Sequence, residues 1–349
     1  MAVAEVTLPS NSGRAARARA TRSNVDQIEV KIAGRRFRTT EVFDTYWRFA
    51  ARRQDIYRQR LRGDAGPWTD DPILRAHRFT NCYRAADRVS QYLIREVIYD
   101  GDQDFAEVTF RTLLFKFFNK IETWELLNDE LGQTPTWADF DLDTYDKVLS
   151  RHFKTGRRLY SAAYVMAPPK LGAERKHSNH LRLLRDMMRA DVPAALQAAE
   201  SMSDAFDLLR AQPGIGDFLA FQYLIDLNYS SGLDFDEMDF VVAGPGARDG
   251  IRKCFGPAAA GIESEVISYM AHHQGEHFER LGLKFDGLHG RPLQLIDCQN
   301  LFCEVDKYAR VAHPAIAGVS GRSRIKQKFA PVREALTSWF PPKWGINQA

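Results

Sequence analysis

The chain has 349 residues, 44% of them hydrophobic, with a net charge of +3. That length accommodates one large domain or two ordinary ones around a substantial core, and the near-neutral balance excludes a chain that is basic or acidic throughout. Four cysteines (Cys82, Cys254, Cys298 and Cys303) show no CxxC spacing, which argues against a zinc or iron–sulfur site; with no signal peptide or membrane-length apolar run, a reducing, cytoplasmic setting with free thiols is expected.

Residues 1 to about 25 combine small residues, Ser and Arg with no apolar period and read as disordered. Ile28–Thr40 alternates, as a short hairpin or edge strand would. From Glu41 the pattern turns helical, with Val42, Tyr46, Phe49, Ile56 and Leu61 at helical spacings. PWTDDPIL is a turn leading into a helix start capped by Asp70 or Asp71. HRFTNCYRAADRVSQYLIREVIY reads as one strong helix and FAEVTFRTLLFKFFNKIETWELLNDEL as another. TPTWADFDLDTYDKVLSRHF gives a further helix after a turn, and YSAAYVMAPPK ends at a double proline. HSNHLRLLRDMMRADVPAALQAAESM reads as two helices split at Pro193, and SMSDAFDLLRA starts on Ser or Asp caps. GARDGIRKCF, GIESEVISYMAHHQGEHFERLG and PLQLIDCQNLFCEVDKYARVA supply three more. The class is therefore mostly α. The expected division is a basic flexible tail over residues 1–27, a helical domain over 28–316 and a basic C-terminal segment over 317–349.

Charge is uneven along the chain. The N-terminal stretch carries Arg14, Arg17, Arg19, Arg22, Lys31, Arg35, Arg36 and Arg38; the C-terminal one carries Arg322, Arg324, Lys326, Lys328, Arg333 and Lys343. Two basic ends suit a polyanionic partner.

LLRAQPGIGDFLAFQYLIDL reads as helix, tight hairpin, helix. Pro213 and Gly214 end the first helix, and Gly216 allows close backbone approach where the second begins. Such a turn offers backbone N–H groups at a helix N-terminus to a phosphate, so Gly214, Ile215 and Gly216 are candidate DNA contacts. About forty residues here resemble the helix-hairpin-helix DNA glycosylase superfamily. Leu209 stands slightly upstream, PGIG fills the hairpin, and Asp239 in DEMDFVV takes the position of the catalytic acid, with Asp236 and Glu237 as alternatives. The pattern departs where GPG (Gly244–Gly246) interrupts the helix expected after the acid, and where Asp217 or Phe218 occupies the place of the lysine of bifunctional members. The resemblance implies a two-lobed helical fold, with its hairpin unit over 203–229, and a monofunctional glycosylase: a carboxylate stabilises the positive charge that develops on the sugar, and the lyase nucleophile is missing.

A longer resemblance runs from about Tyr46 to Tyr308, carried by DDPILRAHRFTNCYRAADRVSQYLI, LLFKFFNKIETWELL and LIDCQNLFCEVDKY. These stretches resemble the helical domain of 5-hydroxymethyluracil DNA kinases of phages, also described as α-glutamyl/putrescinyl-thymine pyrophosphorylase-like. The resemblance implies a hypermodified base as substrate and, for stand-alone relatives, a part in defence against phage. With no GxxxxGK[ST] P-loop in this chain, kinase activity is not expected. On a helix, Asn81, Arg84, Arg88 and Gln91 would share one face, and Lys116, Asn119, Lys120 and Thr123 another. With Tyr83 and Asp87, these residues are the candidate substrate pocket: amides read base edges, cations reach phosphates, and Tyr83, Tyr92 and Trp124 offer stacking faces. Arg248, Arg252 and Lys253 follow the acid and suit the flanking phosphates. Asp297, Gln299, Asn300, Glu304 and Asp306 line a late helix. His273 and His277 have metal-pair spacing but no carboxylate at a diagnostic distance.

The expectation is thus a glycosylase that excises a modified pyrimidine, glucosylated 5-hydroxymethylcytosine foremost, from double-stranded DNA. It needs no metal, no cofactor, no membrane and no obligate protein partner. The rivals are a transferase that attaches an amine or amino acid to phosphorylated hydroxymethyluracil in DNA, and a non-catalytic reader of modified DNA.

Overall fold

A computed structural model describes residues 27–162, 166–330, 336 and 338–347. The basic tail expected over residues 1–27 lies outside them, Gln27 excepted. The alternating N-terminal stretch is a two-stranded antiparallel hairpin, β1 (Glu29–Ile32) paired with β2 (Arg35–Arg38). Ala33 and Gly34, both at positive φ, turn the chain between the strands. Val30, Ile32 and Phe37 face inward, and the cations between them point to solvent.

Everything else regular is helical. The α-helices among the described residues are α1 (Glu41–Leu61), α2 (Pro72–Ala76), α3 (Arg88–Leu93), α4 (Phe105–Phe118), α5 (Ile121–Leu131), α6 (Leu142–Lys154), α7 (Lys176–Arg189), α8 (Val192–Gln197), α9 (Met202–Arg210), α10 (Asp217–Leu227), α11 (Pro245–Phe255), α12 (Glu263–His272), α13 (Gln274–Arg280) and α14 (Leu295–Ala312). Their starts follow from the sequence. Thr40, Asp71, Asp104, Asp141 and Ser201 each turn a side-chain oxygen to the free N–H groups of the first turn. Of the two aspartates proposed for α2, Asp71 is the cap.

Two buried helices organise the core. α10 is solvent-free from Leu219 to Leu227 and packs against α9 and α4. α14 packs against α11, α1 and α12. The α11–α14 contact is close enough that a Cβ on Gly250 would lie 2.1 Å from the Phe302 carbonyl oxygen, so only glycine fits.

Three expected helices are broken, each for a local reason. The stretch 77–99 is extended to Tyr83, forms a 3₁₀ turn over Arg84–Ala86, then α3, and ends in a π turn over Ile94–Ile98. Asp87 Oδ1 accepts from the Asn81 N–H and Asn81 Nδ2 donates to the Ala86 carbonyl, so short polar side chains take the place of helical bonds. The expected common face for Asn81, Arg84, Arg88 and Gln91 does not form. The stretch 105–131 breaks at Asn119, whose φ of 47° ends α4 in the left-handed conformation. Lys120 is the residue before α5, so the second expected face is divided as well. In the third stretch, His273 separates α12 from α13. The chain between α7 and α8 turns at Asp191 (φ 54°), with Pro193 inside the first turn of α8.

The C-terminal segment is not a solvated tail throughout. Phe340 is 1% exposed and stacks on Trp344. Both amide groups of Gln91 pair with the main chain of Trp339, Nε2 donating to its carbonyl at 3.1 Å and Oε1 accepting from its N–H at 2.8 Å.

Candidate functional site

The helices α4, α10 and α14 converge on Arg84. Its backbone N–H donates to Asp297 Oδ1 of α14 at 2.8 Å. Its guanidinium reaches α10, with Nε donating to Gln222 Oε1 at 2.9 Å, Nη1 to Asp226 Oδ1 at 2.6 Å and Nη1 to the Tyr229 hydroxyl at 3.1 Å. Lys116 of α4 forms an ion pair with Asp226 Oδ2 at 3.1 Å and donates to Asn119 Oδ1 at 2.9 Å. One fully buried carboxylate is therefore shared by two buried cations. Burial pushes the Asp226 carboxyl upward; Arg84 and Lys116 outweigh it and hold the group below the usual carboxylate range. Burial lowers Lys116, against the pull of Asp226.

This centre unites Arg84, Lys116 and Asn119 from the predicted pocket. It includes three residues that sequence reading missed: Gln222, Asp226 and Tyr229. A signal was present, because Gln222 and Asp226 stand four apart on an otherwise apolar helix.

The remaining predicted residues have other surroundings. Asn81 accepts from Arg53 Nη2 and braces the 3₁₀ turn. Tyr83 is buried, stacks on Phe285 and donates to the Arg291 carbonyl at 2.7 Å. Burial raises Asp87 to about 7. Gln91 is occupied with Trp339 and the Ala85 carbonyl. Arg88 is exposed, and Lys120 pairs with Glu122 at 3.4 Å. Arg248 and Arg252 lie exposed on α11, one helical turn apart. Lys253 departs from the expected phosphate contact: it is buried and held by Asp306, at 2.9 Å from Oδ1 and 3.0 Å from the carbonyl, so its charge does not reach solvent. The late-helix polar residues are likewise internal. Asn300 donates to Thr80 and to the Asn81 carbonyl, and Glu304 accepts from the Thr80 N–H.

The turn between α9 and α10 has Gly214 at φ +78° and Gly216 as the N-cap, with no side chain capping α10. Gly214 and Gly216 are exposed and Ile215 is buried. Asp217 is in the first turn and pairs with Arg210. Gly244–Pro245–Gly246 does not interrupt a helix but starts α11, with Gly244 as cap and Pro245 in the first turn. A Cβ on Gly244 would meet the Phe218 ring at 2.8 Å, which places the start of α11 against the first turn of α10.

Asp239 is exposed on the loop between α10 and α11, ahead of that cap, and its neighbour Phe240 packs on Phe206 of α9 and Phe221 of α10. Asp236 is also exposed. Glu237 is buried; burial raises its carboxyl and Arg291, 3.1 Å away, opposes this. Arg291 also lies over the Trp344 ring at 4.2 Å. Asp297 is pushed up to about 7 by burial, partly offset by the Arg84 and Gln294 N–H groups.

Two cavities, of about 550 and 570 Å³, flank the loop 285–292. The first lies among Gln54, Tyr57, Arg58, Trp339 and Phe340, and neither is lined by a predicted site residue. Among the described residues no group of three His, Cys, Asp or Glu could hold a metal ion, and no helix is long and apolar enough to cross a membrane. The four cysteines are unpaired.

Residues 40–318 match the family described as "5-hmdU DNA kinase, helical domain". The chain belongs to this family. A 5-hmdU DNA kinase of Bacillus phage SP10 is 24% identical over 288 residues, covering 76% of this chain and 45% of the relative. The chain thus matches less than half the length of that kinase. No solved structure matches. The family match spans the Arg84–Asp226–Lys116 centre, the α9–α10 turn and Asp239 of this 5-hmdU DNA kinase helical-domain chain.

Proposed function

We propose that the protein acts on DNA carrying a modified pyrimidine, and that its reaction is hydrolytic release of the base. The observation that carries this reading is the position of Asp239. It is an exposed carboxylate on a loop packed, through Phe240, on the helix pair whose turn presents the uncapped N-terminus of α10. A helix N-terminus suits a backbone phosphate. A carboxylate on the loop after α10 suits the positive charge that builds on the sugar as the glycosidic bond breaks. Arg248 and Arg252, exposed on the next helix, suit flanking phosphates. The glycosylase resemblance puts Asp217 or Phe218 where a lyase lysine would stand, which favours an abasic site over a cut strand as the product. Membership of the helical-domain family supports a modified pyrimidine as the target, with glucosylated 5-hydroxymethylcytosine our first choice and phage DNA its source.

The test incubates the protein with duplexes carrying glucosylated hydroxymethylcytosine, hydroxymethylcytosine, hydroxymethyluracil or ordinary bases. Alkali reveals abasic sites and mass spectrometry identifies the released base. Release from a modified duplex, lost by 100-fold or more in Asp239→Asn, on the order of one removed charge-stabilising group, is the expected result. Release that survives unchanged in Asp239→Asn removes Asp239 from the mechanism.

The similarity to a 5-hmdU DNA kinase favours one second reading: transfer of an amine or amino acid onto phosphorylated hydroxymethyluracil in DNA. Absence of release from every duplex, with a further duplex of phosphorylated hydroxymethyluracil gaining the amine as it loses its phosphate or pyrophosphate, would establish it. Tight binding with neither outcome identifies a reader of modified DNA.

A further inference from the structure

From Gly321 the chain reads GRSRIKQKFA, with cations at Arg322, Arg324, Lys326 and Lys328 and no acidic residue. Their strict alternation would mean little on a free tail, but this stretch is fastened to the body along its length. At its start, the Ser320 N–H and hydroxyl both donate to the buried Asp249 of α11, at 2.6 Å each. In the middle, Arg310 of α14 donates to the Arg324 carbonyl at 3.0 Å. At its end, Lys328 forms an antiparallel bridge with His77: the Arg78 N–H donates to the Gln327 carbonyl and the Phe329 N–H to the Ala76 carbonyl. Ile325 packs against the core between two exposed cations.

In extended chain, alternate side chains point to the same side and recur about every 6.6 Å. Ile325 fixes which side faces the protein. All four cations are exposed, two on either side of the half-buried Ile325. Arg75 and Arg78, beside the bridge, are exposed too, and Arg248 and Arg252 lie on the helix that anchors the other end.

We infer that residues 321–328 form a cationic track for the sugar–phosphate backbone of DNA. The occupant follows from the charges: four alternating cations on a stretch held to the body at three points, with no acid among them, match a partner whose anionic charge repeats along a line. A duplex carries one charge per about 1.7 Å of axis. A folded acidic protein offers no such regular line. The track deepens the proposed function by stating where the strand runs, and it rests on DNA being the partner. It supplies affinity without reading sequence or modification.

The test compares wild type with the variant Arg322→Gln/Arg324→Gln/Lys326→Gln/Lys328→Gln for binding to an unmodified labelled duplex between about 50 and 200 mM salt. An equal-charge control neutralises Lys147, Lys154, Arg158 and Arg189, which are exposed on the α6–α7 side. The track variant should keep its thermal midpoint, bind at least about tenfold more weakly at low salt, and lose about 0.9 from the log–log salt slope for each contact removed. The loss should be the same on modified and ordinary duplexes, and the control should match wild type. An unchanged slope, an equal loss in the control, or no binding by wild type each overturns the track. Base release is measured separately with saturating substrate, so a failed track leaves the excision reading standing, and absence of release leaves the track decided by its own slope.

Discussion

At the scale of single residues, the decisive fact is that Asp226 is fully buried between two cationic neighbours. Removing it leaves Arg84 and Lys116 buried around an uncompensated gap. Asp226→Ala should therefore destabilise the fold by about 3–5 kcal/mol in urea denaturation; a change under about 1 kcal/mol would mean that the pair is solvated on the scale of a surface bridge. Asp297 predicts a pH dependence. In the unfolded chain it ionises near pH 3.9. In the folded protein burial delays this to about 7. Between those values the native state binds the extra proton, so the stabilisation is fully present below about pH 4 and lost as pH rises through 7. Asp87 has the same sign, but part of it is exposed, which weakens its share. Asp297→Asn should flatten the fall in stability between pH 5 and 8, whatever it does to the absolute value; an equally steep fall would assign the effect elsewhere. The charge centre itself was half legible. Arg84, Lys116 and Asn119 stood out as polar residues in apolar surroundings. Asp226 did not, because a carboxylate inside a helix reads as solvent-facing until its cationic partners, more than a hundred residues distant in sequence, are known to meet it.

At the scale of elements, helix type was legible and helix ends were not. That α2 and α9 start on short polar caps follows from residue chemistry; which of Asp70 and Asp71, or of the Ser and Asp residues in SMSD, does the capping does not, and the structure picks Asp71 and Ser201. The breaks at Asn81–Asp87 and at Asn119 depend on side chains bonding to backbone and on a left-handed residue, which hydrophobic periodicity cannot register. The α11–α14 contact carries its own prediction. Gly250→Ala would force Cβ onto the Phe302 carbonyl. Neither backbone can yield without moving a core helix, so the cost should reach about 3 kcal/mol, the upper end of overpacking, in thermal or chemical melts. The same change at Gly275, in α13 with nothing near its Cβ, should be close to neutral. Because alanine is the better helix former, an equal loss at Gly275 would mean that the contact with Phe302 is not what sets the cost.

At the scale of the molecule, the fastened C-terminal stretches alter the sequence picture most. A basic, Gly- and Ser-containing stretch reads as a solvated tail, and the signal to the contrary was thin: Ile325 among cations, and three aromatics and two prolines in WFPPKW. Ile325, Trp339, Phe340 and Trp344 pack against the body. The attachment at Gln91 has one more consequence. Gln91 grips residue 339 by its main-chain N–H and carbonyl, not by the indole. The hold is thus indifferent to the side chain at 339, and Trp339, which lines the 550 Å³ cavity beside the buried Phe340, can vary while Gln91 keeps the stretch docked. Gln91→Glu puts a second acceptor opposite the Trp339 carbonyl and should release the stretch, seen as faster amide exchange at 339–347 with little change elsewhere; unaltered exchange would mean that the packing of Phe340 and Trp344 and the Lys343 contact with Leu233 suffice to hold it. That arrangement resembles an interchangeable lining on a fixed hinge plate: the cavity's contents can be retuned by substitution at the chain end, without redesign of the helices behind it.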